Sequence, residues 1–536
     1  MSSYDERPAG PAARGVLYVA DTIVESWDGI ATLGDAVGLV RLLRTRTGTV
    51  DVDHEIAVGG FDQPTGVWHD GATTVGGTVL AVHGGRAVTD GRWLRSTVTV
   101  GTQWTGVVVV LGASPPLEPG SLAQRLEALE EDERRFQAKA VLPRDLPQRA
   151  QDALDVLRAC TFEPTGAVIA SPTTSLPEAP GADRQFDYRY TWVRDAALAV
   201  SVAALLGERA TAQSYLEFLH SLSAQSGVPA HPLATVRGDD VPEEHDVTGV
   251  AGWAGSLPIR VGNGAGGQLQ YDALGMLVEA VSVFLQTGGR LHRQTWRMVR
   301  SVADQCCAPA EPSSGIWEFR TESMLTSADI GRWLALDRAI WIARGWRPTT
   351  RRRKWKRARD EARDMVLASL TPQGRLPQCY DGPPRPDAAA LMVAVFGMLD
   401  RDDPRTHAIV DDVITSLGAG AFVYRYAPDA SDGFAGREGA FIPVSWWAVS
   451  ALANLGRVDE ARARAEAMSA QLPRLQSEEI DPETGESLGN VPLVWSHMEN
   501  ARALYILDAA AKRERYGATG LWAWRLARFA RLRFRG

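Results

Sequence analysis

The sequence predicts a mainly α-helical fold: a toroid of paired helices preceded by a small antiparallel β-sandwich. Three observations carry this. From about residue 15 to 114, short β-rich runs such as Thr47-Gly48-Thr49-Val50-Asp51-Val52 and Ser96-Thr97-Val98-Thr99-Val100 alternate with turn residues. Beyond about residue 148 the apolar spacing becomes helical almost to the end, as in 196–206, 274–285, 388–398 and 446–455. The aromatic and charged residues that fit no helical face gather in Gly-, Pro- and Trp-rich loops between those helices, as they would if the loops converge on one end of a ring.

In chain order, the first domain is expected over residues 1–115. Gly59-Gly60, Gly76-Gly77 and Gly84-Gly85 mark tight turns between its strands, and Val107-Val108-Val109-Val110 reads as a buried strand. It carries no catalytic cluster. Pro115-Pro116-Leu117-Glu118-Pro119-Gly120 breaks the chain, and residues 121–140 follow as a charged helix with Leu122, Leu126 and Leu129 at helical spacing, within a linker over 116–147. The helical domain takes residues 148–536. Within it, the basic run 351–359 reads as a solvated helix face. The segment 522–535, apolar residues interleaved with five arginines, is expected to pack on that domain rather than on a membrane.

Composition narrows the function. The chain has 536 residues with 57 Lys and Arg against 65 Asp and Glu, and a net charge of −8 argues against nucleic acid as a partner. No charged-then-apolar leader opens the sequence, and no apolar run is long enough to span a bilayer, so no membrane partner is expected. Cys160, Cys306, Cys307 and Cys379 fit neither a zinc knuckle nor a disulfide framework, which suits a reducing cytoplasm. The nine histidines show no metal-binding spacing, and Gly262-Asn263-Gly264-Ala265-Gly266-Gly267 reads as a loop tip rather than a phosphate cradle. No metal and no cofactor is expected.

The segment Phe186-Asp187-Tyr188-Arg189-Tyr190-Thr191-Trp192-Val193-Arg194-Asp195 interleaves rings and charges without helical or strand alternation. Such a segment suits a sugar, whose apolar C–H face lies on aromatic rings while its hydroxyls take bidentate charged partners. Arg194 and Asp195 are the candidates for that grip. The competing reading is an internal ion pair flanked by core aromatics.

Two further islands hold candidate catalytic carboxylates. Glu318 follows Trp317 in Gly315-Ile316-Trp317-Glu318, and a carboxyl held against an indole in a poorly hydrated pocket keeps its proton and can serve as an acid. Glu478 lies in Glu478-Glu479-Ile480-Asp481, where solvated carboxylates stay ionised and suit a base. Glycoside hydrolysis needs such a pair: one group protonates the departing oxygen, and the other activates water or attacks the anomeric carbon.

These islands, in this order, resemble glycoside hydrolase family 15, which includes glucoamylases, glucodextranases and bacterial trehalases. The segment 187–195 is similar to the family's substrate-gripping loop, and 165–178 to its bacterial lead-in. Val261-Gly262-Asn263 with Gln268-Leu269-Gln270-Tyr271-Asp272 is similar to the start of its next helix. Pro492-Leu493-Val494-Trp495-Ser496-His497 resembles the closing loop of glucodextranase-like members. The resemblance implies an (α/α)6 barrel behind the β-sandwich. It also implies Glu318 as general acid and Glu478 as general base, with Arg194 and Asp195 holding the nonreducing-end glucose and Tyr188 near the oxocarbenium-like centre. Trp192, Trp317 and Trp495 would wall the pocket, and Glu438, in Arg437-Glu438-Gly439-Ala440-Phe441, would contact the leaving sugar.

The family inverts configuration, so the implied activity is exo-acting α-glucoside hydrolysis releasing β-glucose. Short malto- or isomalto-oligosaccharides are the expected substrates, with trehalose the runner-up within the enzyme class. The alternative of another class is a carbohydrate-binding or regulatory protein without turnover, against which the presence of both Glu318 and Glu478 argues. The segment Arg320-Thr321-Glu322-Ser323-Met324-Leu325-Thr326-Ser327-Ala328-Asp329 departs from the commoner bacterial pattern, as does the short N-terminal domain. Glu479 remains the competing candidate for the base.

Overall fold

The structure, a computed structural model, describes the chain except residues 1–2, 5–11, 20–21, 34–35, 58–66, 76, 91–92, 113–117, 224–228, 230, 428–432 and 536. The expected turns at Gly59-Gly60 and Gly76, and residues 115–117 of the proline-rich break, lie outside the described residues. The chain divides into two compact units, Met1–Ala138 and Lys139–Gly536. The division falls inside the segment expected to be a linker.

The first unit holds β1 (Ser3–Tyr4), β2 (Ala12–Val19), β3 (Thr22–Leu33), β4 (Ala36–Thr45), β5 (Val50–Ala57), β6 (Ala72–Val75), β7 (Thr78–His83), β8 (Arg86–Asp90), β9 (Trp93–Val100) and β10 (Thr105–Leu111). They form two antiparallel sheets, ordered β1-β2-β3-β4-β10-β7-β6 and β5-β9-β8. Gly84 and Gly85, both at positive φ, make the tight connection from β7 to β8. Strands β4 and β9 alternate buried and exposed residues, the period-2 pattern of half-buried sheets. Val24 and Leu43 from one sheet meet Val98 and Val100 from the other in a shared core, the arrangement of a sandwich. The charged helix is α1 (Pro119–Lys139); its Leu122 and Leu126 are buried against Trp27, Leu42 and Val108, so it covers a sheet face instead of standing free.

The second unit is built from α2 (Pro147–Ala159), α3 (Val193–Leu206), α4 (Arg209–Leu222), α5 (Tyr271–Gln286), α6 (Arg293–Gln305), α7 (Thr326–Trp346), α8 (Arg353–Ala368), α9 (Met392–Val395, led in by a 3₁₀ turn at Ala388–Leu391), α10 (Pro404–Leu417), α11 (Ile442–Asn454), α12 (Val458–Gln471) and α13 (Val494–Arg535). Helix α3 packs on α5, α5 on α7, and α7 on the Ala388–Leu391 turn; that turn and α9 pack on α11, α11 on α13, and α13 returns to α3. This closes an inner ring. Helices α4, α6, α8, α10, α12 and α2 each back one inner member, giving an (α/α)6 barrel.

The sequence explains which helices go inside. Inner helices such as α3, α5 and α11 are buried nearly all round, as their almost continuous apolar composition requires. Outer helices bury one stripe: in α8 only Trp355, Ala358, Ala362 and Val366 are buried, and the basic residues between them face solvent as expected. At one crossing glycine is obligatory. A Cβ on Gly275 of α5 would lie 2.6 Å from the Gly331 carbonyl oxygen of α7, and one on Gly331 would lie 2.7 Å from the Asp272 backbone. Helix α13 breaks at Gly517 (φ 66°, ψ −171°), and past the break Arg528 is buried with a hydrogen bond to the Leu205 carbonyl at 2.9 Å, so this end packs on the barrel. Among the described residues no helix is long and apolar enough to cross a membrane.

Candidate active site

The lead-in, the aromatic segment and the closing loop assemble into one backbone platform. Ser175 N donates to Phe186 O (2.9 Å), Ser171 N to Tyr188 O (3.1 Å) and Ala170 N to Tyr190 O (2.9 Å), so the two segments run as an irregular antiparallel pair. Val494 N donates to Ala170 O (2.9 Å), and Asn490 bridges Thr173 Oγ1 and the Phe186 carbonyl at 3.0 Å each. Two neighbouring islands and a third, 317 residues on at the Thr173–Asn490 bond, thus fix one another. Within the aromatic segment, Asp187 takes the Arg189 guanidinium on both oxygens at 2.8 Å. That pair stiffens the loop and stands outside the cavity lining.

Against the platform lies an open cavity that takes in about 790 Å3 of space, its mouth included. Tyr188, Trp192, Arg194, Asp195, Trp317, Glu318, Glu478 and Trp495 all line it. Arg194 and Asp195 form the buried ion pair of the competing reading, Nε to Oδ1 at 2.7 Å, and do so at the cavity lining. The Arg194 guanidinium further donates to the Ile316 carbonyl (3.0 Å) and Glu318 Oε1 (3.1 Å), and lies 4.9 Å over the Trp495 ring. Asp195 and Asp272 are pushed up by burial against the pull of Arg194, Asp272 to about 6. Trp317 stacks on Trp495 with centroids 6.5 Å apart and donates its N–H to Asp387 at 2.8 Å.

Glu318 sits at φ +59°, left-handed backbone that a non-glycine residue adopts at a cost, just after Gly315 at φ +63°. Its surroundings differ from the expected apolar pocket against Trp317. Oε1 accepts from Trp192 Nε1 (2.7 Å), Arg194 Nη2 (3.1 Å) and Gln270 Nε2 (3.4 Å), and 22% of the side chain stays exposed. The Trp317 indole serves the wall, and it is the Trp192 indole that meets the carboxyl.

Glu478 also departs from expectation: it is buried, not solvated, at 3% exposure. Its chain position packs it inside the closing platform, where Ile442 N holds its carbonyl at 3.0 Å. Tyr188 donates its hydroxyl to Oε1 at 2.9 Å. Burial and the neighbouring Glu178 push Glu478 well above the ordinary carboxylate range, against Arg425 and the Tyr188 hydrogen bond. Glu479 is turned the other way, accepting from Gly439 N at 2.8 Å, and does not line the cavity.

Glu438, expected to contact a leaving sugar, is instead locked behind the wall. Its oxygens are taken by Arg184, by Arg425 (Nε to Oε2, 2.8 Å; Nη2 to Oε1, 2.5 Å) and by the Tyr426 hydroxyl at 2.8 Å. It is absent from the lining because these donors pull it away from the cavity. The lining also contains residues to which the sequence reading gave no role: Glu178, Arg425, Arg320, Gln268 and Phe434. Tyr424-Arg425-Tyr426 repeats the ring–charge alternation of the aromatic segment, and that signal marks it. Arg320 donates to both oxygens of Glu244 (2.8 and 3.0 Å) and lies 5.2 Å over the Phe434 ring. Glu178, Glu438 and Glu479 bring carboxylate oxygens within 4.8 Å of one another, and the Arg425 guanidinium contacts all three.

Two glutamates on one cavity with an aromatic and Arg–Asp floor match what glycoside hydrolysis requires. The sequence profile described as Glycosyl hydrolases family 15 matches residues 151–475. The chain belongs to glycosyl hydrolases family 15. Among family relatives, the trehalase of Mycolicibacterium smegmatis is 34% identical over 365 residues, 66% of this chain and 54% of that protein. The trehalase of Thermoplasma acidophilum is likewise 34% identical over 365 residues, covering 66% and 61%. The chain therefore spans little more than half the length of these curated relatives. Of solved structures, a bacterial glucoamylase complexed with acarbose matches with a TM-score of 0.64 at 13% identity, over 95% of this chain and 86% of that one. A wild-type glycosidase matches at 0.52 and 18%, over 70% and 98%. At these identities the likeness is one of fold.

Proposed function

We propose that this family 15 chain hydrolyses α,α-trehalose with inversion, Glu318 acting as general acid and Glu478 as general base. The observation that carries the substrate is the run of trehalases, two of them 34% identical to this chain over 365 residues. The malto- or isomalto-oligosaccharide reading has only a 13% identical glucoamylase fold behind it.

The chemistry follows from the placement of the two carboxyls. All three donors to Glu318 reach Oε1, which leaves Oε2 to carry the proton passed to the interglycosidic oxygen. Glu478 is the more buried of the two, and burial, with Glu178 beside it, raises its proton affinity, which strengthens it as a base toward water. The carboxyls do not touch directly. They are joined through Tyr188, bonded to Glu478, and Trp192, bonded to Glu318, whose rings meet edge to face at 5.4 Å. Inversion needs carboxyls set apart by room for water. Arg194 and Asp195 hold the reacting glucose, and Arg320 with Gln268 faces the second.

The test is kcat/KM on trehalose, maltose, isomaltose and panose, with product anomers followed by NMR from the first turnovers. Trehalose should be preferred and should yield α- and β-glucose in equal amounts before mutarotation. A preference for maltose or isomaltose would overturn the substrate, and α-glucose alone would overturn inversion.

A further inference from the structure

The cluster at and behind the cavity wall holds more acid than base. Glu178, Glu438, Glu478 and Glu479 are buried there with two guanidiniums, Arg184 and Arg425. Glu438 is saturated by Arg184, Arg425 and Tyr426, and Glu479 is held by the Gly439 N–H and, at 3.4 Å, by Arg425. The remaining two, Glu178 and Glu478, face the cavity.

Glu178 accepts from Arg425, on Oε2 at 3.1 Å, and its side chain is within hydrogen-bond contact of the Glu478 side chain. Glu478 has the Tyr188 hydroxyl on Oε1, but among the described residues no protein group donates to its buried Oε2. Gly489, at φ +74°, lets the two approach. A Cβ there would lie 3.1 Å from Glu478 Oε2 and 3.4 Å from Glu178 Cγ. A buried carboxylate without a counter-charge or donor is costly, and one proton held by this pair removes a negative charge while supplying the missing donor. Burial and Glu438 raise Glu178, to about 7, against Arg425 and Arg184, with Glu318 across the cavity adding to the negative field around Tyr188.

We propose that Glu178 is a positioning residue for Glu478: it carries a proton and donates it in a hydrogen bond to Oε2, holding the base ionised and aimed into the cavity. Glu178 keeps that proton through the reaction. Glu478 takes a proton from water as the water oxygen bonds the anomeric carbon, the bond to the leaving oxygen breaks, and Glu318 delivers its proton there. The inference rests on the proposed role of Glu478 as base.

The test compares Glu178→Gln, which retains a donor, with Glu178→Leu, which does not, alongside Glu478→Gln. Glu178→Leu should lower kcat about a hundredfold with little change in KM, and Glu178→Gln less than about tenfold. Without the donor the ionised base is less stabilised, so the acidic limb of kcat/KM should move up by about one pH unit in Glu178→Leu and stay in place in Glu178→Gln. If Glu178→Gln is as damaging as Glu178→Leu, or the limb does not move, the pairing is overturned while the base assignment stands. Should Glu178→Leu not fold, a loss in Glu178→Gln beyond about tenfold overturns the pairing and a smaller loss supports it. A Glu478→Gln variant that turns over normally overturns the base assignment and the pairing with it.

Discussion

The Trp192 indole N–H donates to Glu318 at 2.7 Å while the same ring packs edge-on to Tyr188, whose hydroxyl holds Glu478. One aromatic pair therefore orients both catalytic candidates. Trp192→Phe keeps the ring packing and deletes the donor, and should lower kcat about tenfold with KM little changed. Steady-state kinetics on trehalose check this, and a purely KM effect would show that Trp192 only binds sugar.

Removing either carboxyl should separate binding from turnover. Glu318→Gln and Glu478→Gln are each expected to cut kcat by about 10²- to 10⁴-fold. Calorimetric titration with trehalose should still show binding by both variants. Near-normal turnover in one of them would mean that the wrong group has been assigned.

Arg320 reaches the cavity from the segment that departs from the commoner family pattern, clamped by Glu244. As a contact for the second glucose, its loss should weaken binding of the disaccharide. Arg320→Met should raise KM for trehalose about tenfold and leave the inhibition constant of free glucose nearly unchanged. Equal weakening of both would place Arg320 at the first glucose.

Arg425 neutralises the carboxylates behind the wall. Arg425→Met would leave them buried without their shared counter-charge and should destabilise the fold by about 3–5 kcal/mol, read from urea unfolding. A loss below about 1 kcal/mol would show that the cluster discharges itself by taking up protons.

His497, fully buried in the first turn of α13, accepts the Gln476 N–H on Nε2 at 2.9 Å and is held neutral, its proton affinity lowered to about 3 by burial and by Arg149 and Arg474. A depressed histidine contributes stability above its ordinary value near 6.5 that is lost as pH falls toward about 3. Thermal unfolding should therefore shift to lower temperature across that interval. His497→Asn should flatten that slope, and an unchanged slope would assign the acid sensitivity to other groups.

The aromatic segment's place on the cavity and the ring of helices were legible because each leaves a local mark, rings beside charges and apolar spacing near 3.6, whereas Glu318 and Glu478 stood out through the family resemblance and the indole that marked Glu318 turns to the wall. What was not legible depended on the third dimension. Glu478 looks solvated beside Glu479 and Asp481, yet the chain tucks it under the closing loop and leaves Asp481 outside. Glu438 sits in a family-like motif, but Arg184 and Arg425, the first some 250 residues away, pull it behind the wall. Glu178 carries no local signal of its role, because its partner lies 300 residues downstream.

The ring closes only when α13 docks on α3, and the cavity draws residues from 170 through 495. The proposed hydrolytic activity would thus report the last assembly step. A chain emerging from the ribosome can form early helix pairs, but it gains no turnover until the segment around Trp495 has been made and docked. Because contacts of such long range are slow to form, the recovery of activity on refolding should trail the recovery of helical signal.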